Sequence, residues 1–296
     1  MQKIGFLGLG IMGRPMAENL ARDFEVLGFD PQQSRLIGLQ RVKAASSAAD
    51  VARQCSVVCL SLPTAEVVRE VALGQHGLGN SLGPGSLVID LSTGIPSISR
   101  EVAERLARNQ IDFVDAPVSG GEAGAIAATL AIMVGGSPPV VERARAYLSR
   151  IGGSVIRVGD VGAGCVAKLV NNMIVGAAFT TIAESFALAR ANGVDARDLY
   201  EAVKGGWAGS KVLDVSAKAI CERDYTPGGT IDMLEKDLSY ARQLAAQSKV
   251  PIPMSALAHE IFVAGQAAGS GRRSQPALYE LWRILGEAAS DQNSLK

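Results

Sequence analysis

KIGFLGLGIMGRPMAENL, residues Lys3 to Leu20, decides the fold class. Gly8, Gly10 and Gly13 fit G-x-G-x-x-G, but the chain holds 33 glycines, so the spacing alone says little. Its surroundings say more. Lys3 to Leu7 reads as an apolar strand, and the stretch from about Met12 to Arg22 reads as a helix. A second strand, Glu25 to Phe29, ends on Asp30-Pro31. A strand, a glycine turn, a helix and an acid about 20 residues on form the arrangement that holds a dinucleotide. Gly8 permits the tight turn, Gly10 lets backbone N–H groups approach a pyrophosphate, and Gly13 lets helix and strand pack closely. The helix amino terminus then offers the anion unpaired N–H donors and its positive dipole end.

Asp30 bears on the choice of dinucleotide. A carboxylate there accepts hydrogen bonds from a ribose diol and repels a 2′-phosphate, which favours NAD and leaves NADP possible. Arg35 follows a few residues on and could reach a phosphate instead.

Working outward, the first half alternates apolar runs with amphipathic stretches. Ser56–Leu62, Ser86–Leu91, Ile111–Asp115, Leu130–Val134 and Val155–Val158 read as strands, continuous and rich in β-branched residues. Such runs suit strands buried on both faces. Helical segments such as Ser97–Arg108 and Val140–Leu148 lie between them. The expected class is α/β, a Rossmann-type doubly wound parallel sheet over residues 1–159. After Gly159 helical periodicity takes over, in Ala163–Asn192, Asp195–Val203, Ile231–Ser248 and Met254–Ala267. Residues 160–296 are therefore expected to form an all-α domain, entered by one long inter-domain helix. The tail after Ala288 looks loose.

Composition narrows the function. Lys plus Arg and Asp plus Glu are each 29, so the formal net charge is zero, with no footprint for nucleic acid or an anionic membrane. No uninterrupted run reaches the 18 apolar residues of a spanning helix. The amino terminus does not read as a signal peptide. Four cysteines without a C-x-x-C pair, and two histidines, supply few metal ligands, so no metal is expected. The expectation is a reduced, cytoplasmic protein.

Four stretches, in order, resemble the β-hydroxyacid dehydrogenase family, known from 3-hydroxyisobutyrate dehydrogenase and tartronate semialdehyde reductase. FLGLGIMGRPMAENL resembles its extended fingerprint, DAPVSGG (Asp115–Gly121) its substrate-binding segment, and GAGCVAKLVNN (Gly162–Asn172) its catalytic helix. KDL (Lys236–Leu238) resembles a shorter motif of its helical domain, which is like that of 6-phosphogluconate dehydrogenase. The match runs from about residue 2 to about residue 285.

The resemblance implies roles. Ser119, Gly120 and Gly121 hold the substrate carboxylate; their hydroxyl and consecutive N–H groups also make a small anion nest by themselves. Lys168 is the catalytic residue and Asn172 a substrate ligand; four positions apart, they share one helix face. Gly164, one turn before Lys168, leaves room for a ligand. Leu9, Ile11 and Met12, between the glycines, join Gly8, Gly10, Gly13 and Asp30 as cofactor contacts. Leu62, Pro63 and Thr93 lie at carboxyl ends of strands, where such sheets bind ligands. Lys236 is placed near the cofactor, or is simply a helix-surface lysine. Trp207 walls the substrate pocket or fills a helix–helix gap. Cys165 reads as a buried structural thiol.

The implied reaction moves a hydride between a small β-hydroxyacid and NAD(P), with Lys168 as general acid or base. A lysine is charged at neutral pH, so burial and a nearby positive ring must lower its pKa before it takes a proton. Semialdehyde reduction, on tartronate or succinic semialdehyde, is the same chemistry reversed. A non-catalytic dinucleotide-binding relative would tend to lose the lysine, and an imine reductase would replace it. The chain is short for a 6-phosphogluconate-type enzyme and lacks its basic cluster. Arg272-Arg273 departs from the family pattern and leaves open a second acidic group on the substrate. The alanine-rich helical half suggests a homodimer or homotetramer. Which hydroxyacid is used stays open.

Overall fold

A computed structural model describes residues 1–226 and 228–283; the tail expected to be loose after Ala288 lies outside them. The chain divides into two compact units, Met1–Lys168 and the segment from Leu169 onward.

The first unit is built on one sheet. Its strands are β1 (Lys3–Leu7), β2 (Glu25–Phe29), β3 (Lys43–Ala44), β4 (Val57–Leu60), β5 (Leu87–Asp90), β6 (Asp112–Asp115), β7 (Val118–Ser119), β8 (Leu130–Gly135) and β9 (Gly152–Gly159). The order is β3-β2-β1-β4-β5-β6-β8-β7, with β9 on β8. From β3 to β6 every pair is parallel. β4 and β5 are buried at every residue, which is why their sequences run apolar without alternation.

The sheet is parallel as expected except at one strand. β8 runs antiparallel to β6 and β7, pairing Asp115 with Gly135, Val118 with Ile132 and Ser119 with Ala131. The Met133 N–H donates to the Pro117 carbonyl, so β6, Pro117 and β7 follow one register along β8. Proline has no N–H for a ladder and breaks this line into two short strands.

Six helices complete this unit: α1 (Gly13–Leu20), α2 (Ala48–Gln54), α3 (Ala65–Leu73), α4 (Pro96–Ala107), α5 (Gly121–Ala127) and α6 (Pro138–Leu148). Two apolar clusters form its core, one containing Phe6, Met16, Leu20 and Ile89, the other Val51, Leu60, Val88 and Leu106. Buried Asn19 donates from Nδ2 to the Ala125 carbonyl (2.8 Å) and ties α1 to α5.

A seventh helix, α7 (Ala163–Ala191), starts in the first unit and continues into the second. The second unit adds α8 (Ala196–Val203), α9 (Lys211–Glu222), α10 (Ile231–Ser248) and α11 (Pro253–Ala267). Among its described residues no strand forms beyond one isolated bridge, Thr230 to Ser274. α9 is not among the helices expected from the sequence, although Ser210 caps it by accepting the Leu213 N–H, and Leu213, Ala217 and Ile220 make its buried stripe. Phe179, Ala183 and Phe186 of α7 join Leu234, Leu238 and Phe262 in the core of this unit. α7 is long and apolar enough to cross a membrane by length and composition, with a window of mean hydropathy 1.4, although no run of 18 apolar residues in it is uninterrupted. Its repeating buried stripe is what a core helix requires.

Candidate active site

In the first unit the carboxyl ends of β1, β2, β4 and β5 lie along one edge of the sheet. The strand order reverses between β1 and β4, and such a reversal is where open parallel sheets bind ligands. At β1 the chain turns on Gly8 (φ +92°), whose N–H donates to the Phe29 carbonyl (2.9 Å). A methyl on Gly13 would overlap the Gly8 carbonyl oxygen, so helix and turn touch only because residue 13 is glycine.

Asp30 is 1% exposed and heavily used. It accepts N–H bonds from Leu9 (2.8 Å) and Gln32 (2.9 Å) and pairs with Arg35 Nη1 (3.1 Å). The Leu9 N–H is thus engaged by protein, and its side chain is buried in the core. The amides of Gly10, Ile11 and Met12 remain at the start of α1, which has no side-chain cap. Ile11 is exposed and Met12 half-buried. An uncapped helix start entered by a glycine turn fits a pyrophosphate.

Leu62 and Thr93 are half-buried and Pro63 exposed, past the ends of β4 and β5. The Leu62 N–H donates to Ser92 Oγ (2.9 Å), and the Ser92 N–H donates to Asp90 Oδ1 (3.0 Å). Asp90, missed in the sequence, therefore braces both loops. Burial pushes its carboxyl up to about 7; the Ser92 bonds oppose this and the neighbouring Asp115 charge adds to it.

Asp115, also missed, is 0% exposed. Its carboxylate accepts the N–H groups of Gly162 (2.7 Å) and Cys165 (2.8 Å), and burial raises it to about 6. Both acids end apolar strands, and that position was the available signal. Four residues beyond Asp115, Ser119 is half-buried, while Gly120 (φ +141°) and Gly121 (φ +63°) are exposed at the start of α5. A side chain is disfavoured at both angles.

Lys168 is 9% exposed on α7, consistent with the confinement expected from its apolar neighbours. The space at Gly164 is filled by protein. A methyl there would stand 2.6 Å from the Asp115 carbonyl oxygen, so this glycine admits β6 to the helix and the expected ligand gap is corrected. Cys165 is fully buried beside Ser99 Oγ (3.3 Å), and burial raises its thiol well above the ordinary value.

In the second unit, Asn172 is 5% exposed. Its Nδ2 donates to Asp237 Oδ2 (2.6 Å), and its Oδ1 accepts from Asn171 (2.9 Å). Lys236 Nζ pairs with Asp237 Oδ1 (2.7 Å) and stands over the Tyr240 ring, 4.9 Å from its centroid. Asp237 thus joins two of the expected residues, although only its neighbour Lys236 was singled out in KDL. Trp207 is fully exposed, which rules out the gap-filling role within this unit. Arg273 stacks on Tyr225 (4.6 Å) and Arg272 is exposed.

The first unit is thus a dinucleotide-binding fold of Rossmann type with a buried lysine at its carboxyl boundary. Residues 3–159 match the family model described as the NAD binding domain of 6-phosphogluconate dehydrogenase. Residues 162–282 match that described as NAD-binding of NADP-dependent 3-hydroxyisobutyrate dehydrogenase. The chain belongs to the β-hydroxyacid dehydrogenase family, NAD(P)-dependent oxidoreductases acting on the hydroxyl group of hydroxyacids. It is 36% identical over 287 residues to 2-(hydroxymethyl)glutarate dehydrogenase of Eubacterium barkeri, covering 96% of this chain and 95% of that one. It is 32% identical over 286 residues to 2-hydroxy-3-oxopropionate reductase of Escherichia coli, covering 96% and 98%. The solved structure of Mycobacterium tuberculosis 3-hydroxyisobutyrate dehydrogenase with L-serine superposes with a TM-score of 0.86 at 34% identity, covering 96% and 99%.

Proposed function

We propose that this protein oxidises a small β-hydroxyacid, 3-hydroxyisobutyrate-like, with NAD, and that Lys168 is its general base. The observation that carries the reading is the burial of Lys168, 9% exposed in the same unit as the glycine turn. The substrate class is supported by the relatives. The compounds they are named for carry, or gain on reduction, a hydroxymethyl carbon two bonds from a carboxylate.

Bound NAD would supply the hydride acceptor; the amides of Gly10, Ile11 and Met12 would hold its pyrophosphate, with Leu62, Pro63 and Thr93 along the same sheet edge. Asp30 would meet the ribose of a bound dinucleotide and favour NAD over NADP through its negative charge, Arg35 being tied to it. The Ser119 hydroxyl and the Gly120 and Gly121 amides hold the substrate carboxylate. Asn172 adds a ligand one helical turn beyond Lys168, its amide oriented by Asp237. Lys236 and Trp207 take their cofactor and substrate roles from the resemblance alone. Uncharged Lys168 Nζ takes the hydroxyl proton as the carbon–hydrogen bond breaks. In the reductive direction its ammonium form stabilises the developing alkoxide and returns the proton. That reversed use, a semialdehyde reductase, is favoured by the likeness to the Escherichia coli reductase.

The test is a kinetic panel of 3-hydroxyisobutyrate, glycerate, serine and 2-(hydroxymethyl)glutarate with NAD and NADP in parallel. Lys168→Ala should lower kcat roughly 10²- to 10⁴-fold while NAD still binds. An almost fully active variant, or no nicotinamide reduction with any compound, overturns the reading. A homodimer or homotetramer built through the helical unit belongs to the same proposal, supported by Ile174 and Leu188, each 68% exposed on α7. A monomeric mass in solution would contradict it.

A further inference from the structure

The opening turn of an α-helix leaves N–H groups without partners inside the helix. In the usual capping box the N-cap side chain takes the N–H three residues on, and that third residue's side chain takes the N-cap N–H. α7 cannot do this for itself. Its N-cap is Gly162, whose carbonyl accepts the Val166 N–H and which has no side chain. The third residue is Cys165, whose thiol is turned to Ser99.

Asp115 performs both duties from another element. Oδ1 accepts the Gly162 N–H (2.7 Å) and Oδ2 accepts the Cys165 N–H (2.8 Å), across 47 and 50 residues of chain. The carboxylate is fully enclosed, and two glycines make room for it. A methyl on Gly135 would overlap Oδ1, and one on Gly164 would lie 2.9 Å from Oδ2. A negative charge at this end of the helix also meets the positive end of its dipole.

The same residue opens the segment that ends in Ser119, Gly120 and Gly121, and its backbone is pinned to both neighbouring strands. The Ala116 N–H donates to the Asp90 carbonyl (2.7 Å), and Asp115 pairs in register with Gly135. The helix it caps carries Lys168 one turn beyond Cys165. We propose that Asp115 is a positioning residue for catalysis: one buried carboxylate fixes the start of the lysine-bearing helix against the strand leading into the carboxylate-binding loop. The inference rests on the reading of Lys168 as the acid–base group.

Asp115→Asn tests it, because the amide keeps the volume but offers one acceptor oxygen to two N–H donors. A shift of about 1 Å in a reacting group costs on the order of 10²-fold in rate, so kcat for the hydroxyacid should fall about 100-fold. The KM for NAD should be unchanged, since the glycine turn lies elsewhere. Lys168→Ala is measured beside it. If Lys168→Ala is inactive and Asp115→Asn turns over like wild type, the positioning role is overturned and the lysine reading stands. If Lys168→Ala stays active, the lysine reading falls and this inference with it. A parallel loss of NAD affinity in Asp115→Asn marks a general structural defect and also overturns the proposal. Should Asp115→Asn fail to fold, hydrogen exchange on the wild-type protein decides. The Gly162 and Cys165 amides must be protected, and exchange at the rate of unstructured amides overturns the cap.

Discussion

Asp90→Asn should flatten the pH dependence of the first unit's stability. Asp90 and Asp115 are register partners at the carboxyl ends of β5 and β6, 1% and 0% exposed. Burial holds their carboxyls up at about 7 and about 6, against an ordinary 3.8. The folded state therefore binds these protons more tightly than the unfolded chain does. The resulting stability is fully present below the unfolded value and is lost as pH rises through the folded one. Between pH 5.5 and pH 8, linkage gives a loss of about 2 kcal/mol for Asp90 and about 1 kcal/mol for Asp115. Asparagine at position 90 keeps the volume and an acceptor for the Ser92 N–H but carries no proton to lose, so the slope should drop by about 2 kcal/mol. Protection of the β5 amides at the two pH values is the suitable assay, because Trp207 and Trp282 both lie in the helical unit. Equal slopes for wild type and variant would refute the assignment of buried, protonated Asp90.

Three further outcomes are expected. Gly13→Ala drives a methyl into the Gly8 carbonyl, so NADH affinity measured by fluorescence should fall about 100-fold or more, equivalent to roughly 3 kcal/mol, with helix content retained; unchanged affinity would contradict the turn. Asp30→Ala leaves the buried Leu9 N–H without its acceptor, costing about 1–3 kcal/mol in chemical denaturation, and frees Arg35. The ratio of kcat/KM for NAD over NADP should drop in the same variant, and a constant ratio would count against Asp30 as the selector. Asp237→Ala removes the partner of Asn172 Nδ2 and Lys236, so the hydroxyacid KM should rise about tenfold, the worth of one hydrogen bond of roughly 1.4 kcal/mol; a KM unchanged from wild type would leave Asp237 a local tie only.

What the sequence made legible follows from how local each signal is. The bounds of β1 and β2 could be read directly because a glycine turn and an Asp-Pro punctuate them, and α10 because its amphipathic period runs unbroken from Ile231 to Ser248. Gly8, Gly13 and Asp30 were legible because their motif states a backbone geometry. Asp90, Asp115 and Asp237 were less legible: Asp115 and Asp237 meet partners on other elements, and the strand-end position of Asp90 and Asp115 does not by itself say whether an acid is solvated. Gly164 shows the same limit. Its small size was evident, but the backbone that fills the space comes from β6 and β8. α9 escaped for a different reason. Glycines before it and Arg223 in the left-handed region after it leave a short stripe between breakers.

One helix has a consequence for recombining such proteins. The two family models meet between residues 159 and 162, whereas packing divides the chain after Lys168. The opening turns of α7 thus fall within the match of the helical half and pack with the sheet half. A chimera joined at residue 160 would import a foreign first turn that must accept the resident Asp115, Gly135 and Ser99. A chimera joined at residue 170 would keep the whole capped turn and Lys168 with their native sheet, exchanging Asn172 and everything after it. Libraries crossed at the second point should yield more active progeny than libraries crossed at the first.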